Sequence, residues 1–92
     1  MNDTIYNAIL NKSKIRFTYK DTERVIEPYT YGCNFKGNDV LRGFQIQGET
    51  KNTWKLFTVE KMEYIELEDN FTQLREGYTR GDSAMQRIYI EI

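Results

Sequence analysis

The first dozen residues carry hydrophobic side chains at helical spacing. Ile5, Ala8 and Ile9 recur three or four positions apart, so they share one face of a predicted helix. Two further residues widen this apolar stripe: Tyr6 and Leu10. Asn2 or Asp3 supplies a side-chain oxygen that caps the first turn. The pattern therefore predicts a helix over about residues 3–12.

Beyond residue 12 the hydrophobic period falls to two, which is typical of a strand with one buried face. The residues on that face are Ile15, Phe17 and Tyr19. Lys20-Asp21-Thr22 predicts a turn, and a second strand follows over residues 23–31, so the two strands form a predicted hairpin. Pro28 has no backbone N–H to donate, which favours an edge or a bulge at that position.

Turn-forming residues divide the remaining chain into further short strands. Strands are predicted over residues 40–47 and 54–59, after a tight turn at Lys36-Gly37-Asn38-Asp39 and a loop at residues 48–53. Residues 62–67 form either another strand or a bent continuation of the previous one. A final strand over residues 85–92 alternates between two sets: Ile88, Ile90 and Ile92 against Arg87, Tyr89 and Glu91. One helix followed by several short strands predicts a mainly β fold, as a small barrel or a strongly curved sheet.

Composition and charge narrow the functional classes. The 92 residues fit one domain spanning residues 1–92. Lys and Arg number 13 against 14 Asp and Glu, so the net charge of −1 provides no overall positive field to hold duplex nucleic acid. His is absent, which removes the most frequent general base and the commonest metal ligand. We expect no metal and no cofactor.

The cysteine content and the N-terminal residues bear on localisation. Cys33 is the single cysteine, so it has no partner for an intramolecular disulfide, and we expect it to be a small, half-buried residue. The first residues lack the charged and then apolar pattern of a signal peptide. Hydrophobic residues make up 39% and charged residues 29% of the chain, which argues against a membrane protein. We therefore expect a cytoplasmic protein.

Short motifs occur in a fixed order along nearly the whole chain. They are Ala8-Ile9, Ile15-Arg16-Phe17-x-Tyr19, Arg24-x-Ile26-Glu27-Pro28, Val40-Leu41-Arg42-Gly43-Phe44-Gln45, Lys55-x-Phe57-x-Val59-x-Lys61-Met62 and the tail Arg75-x-Gly77-Tyr78-x-x-x-Asp82-x-x-Met85-x-x-Ile88-Tyr89. This order resembles the WYL domain of bacterial transcription regulators and of genes near anti-phage defence systems, and the tail is similar to that of small stand-alone WYL-like proteins. Three positions depart from the family pattern: Asp39-Val40 in place of Trp-Tyr, Lys55 in place of Arg, and Glu76 in place of Pro.

The resemblance implies an Sm-like or SH3-like curved sheet or barrel with a ligand pocket. It further implies a nucleotide-like ligand or single-stranded nucleic acid, and no established catalysis. For an enzyme, Glu27 and Glu60 are the candidate carboxylates, and their spacing does not pair them. We expect that the protein is not an enzyme.

Eight residues are candidates for holding such a ligand. Four lie on two neighbouring predicted strands, where cations, an amide and an indole converge: Arg42, Gln45, Trp54 and Lys55. A guanidinium binds phosphate oxygens in a fork, and an indole stacks on a base. The other four lie in a segment without clear periodicity: Arg75, Tyr78, Arg80 and Asp82. That segment is either a lid over the pocket, with Tyr78 fixed by Asp82, or an ordinary surface crossover. The strand residues have a second interpretation too, in which Trp54 is a core or rim aromatic and Arg42 and Lys55 lie on solvated strand faces.

Charged and aromatic residues are also clustered along the chain. Basic residues crowd the first helix end and hairpin, namely Lys12, Lys14, Arg16, Lys20 and Arg24, and acidic residues crowd a later segment, namely Glu60, Glu63, Glu66, Glu68 and Asp69. The two groups either meet across subunits or form solvated faces. Four aromatic residues are expected in the core: Tyr29, Tyr31, Phe35 and Phe44. Five Phe and seven Tyr in so short a chain favour a homo-oligomer.

The function expected from the sequence is non-catalytic binding of a negatively charged nucleotide-type molecule. Such a protein either regulates a partner or sequesters a nucleotide second messenger in a phage or anti-phage defence context. The alternative is a single-stranded nucleic-acid-binding accessory or transcription-regulatory protein. A purely structural interaction module is the third possibility.

Overall fold

Six strands and one α-helix account for most of the chain. The structure is a computed structural model that describes residues 1–92. The elements are α1 (Asp3–Asn11), β1 (Ser13–Tyr19), β2 (Thr22–Cys33), β3 (Asp39–Gln47), β4 (Thr53–Thr58), a 3₁₀ turn (Val59–Lys61), β5 (Glu63–Asn70) and β6 (Arg87–Glu91). The predicted mainly β fold with an N-terminal helix is confirmed. Of the predicted segment 62–67, residues 63–67 belong to the separate strand β5, because the 3₁₀ turn divides this segment from β4. No helix combines the length and the hydrophobicity needed to cross a membrane.

All strand pairs are antiparallel, and the sheet runs in the order β4-β3-β2-β1-β5. The sheet is not closed, so of the two predicted forms it has the curved sheet and not the closed barrel. The long strand β2 pairs with β1 over residues 22–26 and with β6 over residues 30–33. Pro28 lies between these two partners, beside a register shift against β3. The bulge predicted there is confirmed, and the missing N–H falls where neither β1 nor β6 requires it.

Local chemistry explains the first hairpin and the start of the helix. Lys20 and Asp21 both have positive φ, 51° and 60°, which is the two-residue turn whose twist suits antiparallel strands. Asn2 caps α1, because its Oδ1 accepts a hydrogen bond from the backbone N–H of Ile5 at 3.0 Å. Leu10, in contrast to the rest of the predicted apolar stripe, is 63% exposed.

One face of the sheet packs with α1 to form the main hydrophobic core. Its buried residues are Ile5, Ala8, Ile9, Ile15, Phe17, Tyr19, Ile26, Tyr31, Leu41, Phe57 and Met62. Three of these rings, Phe17, Tyr19 and Phe57, meet edge to face with centroids 5.0–6.2 Å apart. The alternation predicted for β1 is confirmed, since all three apolar residues of that strand lie in this core.

The opposite face carries a second, aromatic layer. It consists of Tyr29, Phe44, Trp54, Phe71 and Tyr78, which we call the aromatic layer. Tyr29 lies at its centre, with ring centroids 4.8 Å from Trp54 and 4.9 Å from Tyr78. Residues 71–86, which we call the cover segment, have no regular secondary structure and contribute Phe71 and Tyr78 to this layer. Aromatic side chains therefore hold an irregular segment against the sheet.

Two predictions about aromatic residues are wrong. Phe35 is 70% exposed because it lies in the turn after β2, which ends at Cys33. Tyr89 packs against the core, with its ring centroid 5.0 Å from that of Tyr31, although simple alternation assigned it to the other side of β6. A register shift between β2 and β6 at this point inserts Tyr89 as an extra residue and breaks the period of two. Cys33 is half-buried, as expected.

The clustered charges meet within the chain because β1 pairs with β5. The Nζ atom of Lys14 lies 3.5 Å from Oδ2 of Asp69, and Nη2 of Arg16 lies 3.2 Å from Oε1 of Glu68. Arg16 also pairs with Glu23 on β2. Basic residues of β1 and acidic residues of β5 thus lie on neighbouring strands of one sheet.

Candidate ligand-binding pocket

A surface pocket of about 470 Å³ opens between the β3–β4 hairpin and the cover segment. Its lining residues are Arg42, Trp54, Gly77, Tyr78, Thr79, Gly81, Asp82 and Ser83. They come from two parts of the chain that are distant in sequence, the β3–β4 hairpin and residues 77–83. Four of the eight predicted ligand-binding residues are among them: Arg42, Trp54, Tyr78 and Asp82. The structure therefore gathers half of the predicted set around one pocket.

The pairing of β3 with β4 places Arg42 and Trp54 on the same face of the sheet. Phe44 is directly opposite Trp54, and Arg42 is directly opposite Leu56. Residues that face each other across an antiparallel pair share a face, and so do residues two positions apart on one strand. Arg42, Phe44, Trp54 and Leu56 therefore form one patch, whose outer part is the sheet wall of the pocket.

Arg42 is held by Asp82 in a two-pronged ion pair. Its Nε donates to Oδ2 at 2.7 Å and its Nη2 donates to Oδ1 at 3.2 Å. The Asp82 side chain is 10% exposed and that of Arg42 is 29% exposed. The hydrogen bond from Arg42 lowers the pKa of Asp82 below its usual value, so the carboxylate stays ionised at neutral pH. Three of the five guanidinium N–H groups, on Nη1 and Nη2, have no partner in the protein.

Tyr78 is fixed, but not by Asp82 as predicted. Its hydroxyl donates to the backbone carbonyl oxygen of Ile92 at 2.5 Å. The ring lies at 26° to that of Trp54, with centroids 6.3 Å apart, so two roughly parallel aromatic rings line one pocket. Burial raises the pKa of the Tyr78 hydroxyl, which is therefore neutral at physiological pH.

Trp54 is oriented by the cover segment. Its Nε1 donates to the carbonyl oxygen of Glu76 at 3.1 Å. The next residue, Gly77, has φ +93°, and a Cβ atom there would lie 2.9 Å from Nε1 of Trp54. A side chain at position 77 would push the segment off the indole, so glycine is required for this contact. The half-buried indole is thus a fixed wall of the pocket and not only a core residue.

Hydrogen-bond donors line the loop side of the pocket. The hydroxyl groups of Thr79 and Ser83 make no hydrogen bond within the protein, and neither do the backbone N–H groups of the lining residues Thr79, Asp82 and Ser83. Gly77, Thr79, Gly81 and Ser83 were not predicted as site residues. The signal that points to them is their position, since these small and hydroxyl-bearing residues are interleaved with the predicted Tyr78 and Asp82.

Gln45 and Lys55 do not line this pocket. Gln45 is fully buried, accepts from Nη1 of Arg24 at 3.2 Å and donates to the backbone carbonyl oxygen of Thr50. Lys55 is adjacent to Trp54 and therefore lies on the other face of β4. The predicted convergence of all four strand residues is wrong because the period of two separates Arg42 and Trp54 from Gln45 and Lys55.

Arg75 and Arg80 also lie outside the pocket lining. Arg75 forks onto Glu27, with Nε to Oε1 at 2.9 Å and Nη2 to Oε2 at 3.0 Å, and its guanidinium lies 4.8 Å from the centroid of the Phe44 ring. Its backbone N–H donates to the Tyr29 hydroxyl at 2.9 Å, and burial raises the pKa of Tyr29 to about 12. Arg80 is 71% exposed and lies 3.5 Å from Glu91. Arg75 thus anchors the cover segment, and Arg80 extends into solvent.

Comparison with protein-family models, with characterised proteins and with solved structures found no match. The relation to the WYL domain therefore stays an expectation that rests on the motifs.

Proposed function

We propose that this pocket binds a small nucleotide-type ligand through an anionic phosphate and that the protein is a non-catalytic binding module. The observation that carries the proposal is the fixed position of Arg42. Asp82 holds one edge of the guanidinium, while the N–H groups of the other edge have no protein partner and Arg42 lines the pocket. Such an edge is suited to two parallel hydrogen bonds with phosphate oxygens.

The rest of the pocket supplies what a nucleoside requires. Trp54 and Tyr78 present aromatic rings, and base stacking on such rings contributes about 1–3 kcal/mol per base. The hydroxyls of Thr79 and Ser83 are available for hydrogen bonds to sugar or phosphate oxygens. The volume of about 470 Å³ lies within the range of about 300–1,000 Å³ that is usual for small-molecule sites.

The ionisable groups of the pocket support binding and not proton transfer. An efficient general acid or base has a pKa near the working pH. Asp82 is kept ionised by Arg42, and Tyr78 is kept neutral by burial while its hydroxyl is engaged with Ile92. We infer a role in which binding itself is the function, either to regulate a partner or to remove the ligand from solution.

A long single-stranded nucleic acid is the less favoured ligand. Such ligands require a row of free cations along a groove. Lys14, Arg16 and Arg24 are each within 4.0 Å of a carboxylate, whose negative charge offsets their attraction for a nucleic-acid backbone. Arg42 is the one cation in the pocket lining.

The test is a titration of the protein with mononucleotides, followed through Trp54, which is the only tryptophan and lines the pocket. Replacing Arg42 by Ala removes the charge-assisted hydrogen bonds to phosphate, a loss of about 1.5–3 kcal/mol or about 10- to 150-fold in affinity. Arg42→Lys recovers part of this loss, because an ammonium keeps the charge and lacks the fork.

Lys20→Ala is the control. This substitution also removes one positive charge, and Lys20 lies in the exposed first turn. Circular dichroism establishes that each variant is folded. If Arg42→Ala and Lys20→Ala bind equally well, the phosphate site is not at Arg42. If no nucleotide binds the wild-type protein, the proposed function is wrong.

A further inference from the structure

The charge balance of the pocket restricts the ligands that it accepts. Its lining contains one cation, Arg42, and one anion, Asp82, and the two are in direct contact. The other predicted cations are elsewhere: Arg75 is paired with Glu27, Arg80 with Glu91, and Lys55 lies on the opposite face of β4. The lining therefore has no net charge.

We infer that Asp82 determines ligand specificity, by limiting the pocket to nucleotides whose phosphate carries a single negative charge. This inference rests on the proposed function, because it concerns the ligand of the same pocket. A phosphodiester, as in a cyclic mononucleotide, has one such charge. A terminal phosphate monoester carries about −1.5 to −2 at pH 7, and a triphosphate carries more.

The physical basis is the distance between Asp82 and the phosphate that Arg42 would bind. Both anions contact the same planar guanidinium, one on each edge, so they lie only a few ångströms apart across it. The positive charge of Arg42 compensates one of them. Each additional negative charge on the ligand is repelled by Asp82 and finds no second cation in the lining. Asp82 thus orients Arg42 and at the same time disfavours multiply charged ligands.

Alternative interpretations of Asp82 predict different ligand preferences. If Asp82 only positions Arg42, removing Asp82 lowers the affinity for every nucleotide by a similar factor. If Asp82 limits the charge of the ligand, neutralising Asp82 raises the affinity for highly charged nucleotides relative to that for singly charged ones. Asp82→Asn separates the two, because an amide oxygen still accepts from Arg42 while the negative charge is gone.

The experiment measures dissociation constants for 3′,5′-cyclic AMP, AMP and ATP, and for the three corresponding guanine nucleotides, without divalent metal and at fixed ionic strength. For the wild-type protein we expect the cyclic nucleotide to bind at least about tenfold more tightly than the triphosphate of the same base. In Asp82→Asn we expect this ratio to fall by about tenfold or more. Glu76→Gln is the matched control, since it removes one negative charge from the same segment outside the pocket lining and leaves the ratio unchanged.

Ionic strength provides a second measurement that requires no variant. Salt screens the repulsion by Asp82, so the wild-type preference for the cyclic nucleotide narrows as the salt concentration rises. Equal effects of Asp82→Asn on the cyclic nucleotide and the triphosphate overturn the inference. The inference is also overturned if the wild-type protein binds the triphosphate more tightly than the cyclic nucleotide. If Arg42→Ala still lowers nucleotide affinity in that case, the proposed function is unaffected. Binding of none of the six nucleotides overturns both.

Discussion

Arg75 is expected to stabilise the whole fold, although it lies in an irregular segment. Its partner Glu27 has a side chain that is only 3% exposed, whereas the Arg75 side chain is 42% exposed. Breaking a fully buried ion pair from one side costs about 3–5 kcal/mol, and an exposed pair contributes about 0–1 kcal/mol. Because solvent reaches the guanidinium but not the carboxylate, we place the cost of Arg75→Ala between these limits, at about 2–3 kcal/mol.

Urea unfolding of the wild-type protein and of Arg75→Ala measures this cost. Glu27→Gln combined with Arg75→Ala completes a double-mutant cycle, in which we expect a coupling energy of about 1–2 kcal/mol because the amide needs no compensating charge. Arg80→Ala, in the same segment and largely exposed, is expected to cost less than about 0.5 kcal/mol. The reasoning is refuted if Arg75→Ala is as mild as Arg80→Ala, because the buried carboxylate would then not depend on Arg75.

Two further predictions concern the cover segment. Gly77→Ala is expected to destabilise the fold by about 1–3 kcal/mol in urea unfolding and to shift the Trp54 emission, because a methyl group at φ +93° would lie against the indole nitrogen. Gly37→Ala, also at positive φ but with open space around it, is the control for backbone strain alone. Because the pKa of Asp82 is lowered in the folded state, the ion pair of Asp82 with Arg42 stabilises the fold above about pH 4. This stabilisation is lost as the pH falls through the folded-state pKa. Thermal melts at pH 2–6 should therefore show a steeper acid loss for the wild-type protein than for Asp82→Asn, and parallel curves would contradict this.

The period of hydrophobic residues predicted much of the fold because it is a local property. The apolar residues of β1 alternate strictly, and the strand forms where they do. The same period, applied to β3 and β4, separates Arg42 and Trp54 from their neighbours, so the prediction that Gln45 and Lys55 join them neglected information that the sequence contains. The bulge in β6 is different, since no residue type marks it as Pro28 marks the one in β2, and the extra residue Tyr89 depends on which strands pair.

The carboxylate partners of Arg42 and Arg75 were beyond sequence reasoning for a physical reason. Arg42 and Asp82 are 40 residues apart, and Arg75 and Glu27 are 48 residues apart. Charged residues of either sign are abundant in this chain, so each arginine has many candidate partners along the sequence. The choice among them is made by the sheet order and by the path of the cover segment. Neither has a local signature.

The way the cover segment is held explains how so small a chain presents an ordered site. Arg75 binds Glu27, Trp54 binds the Glu76 carbonyl and Tyr78 binds the Ile92 carbonyl, so three contacts fix the wall without using the polar groups that face the pocket. Ordering a loop at the moment of binding would subtract from the affinity. Here that ordering is already provided by folding, so a ligand at Arg42 meets a prepared site. It follows that Arg75→Ala and Tyr78→Phe, which each remove one wall contact, should weaken ligand binding even though neither removes the guanidinium or the rings that we assign to the ligand.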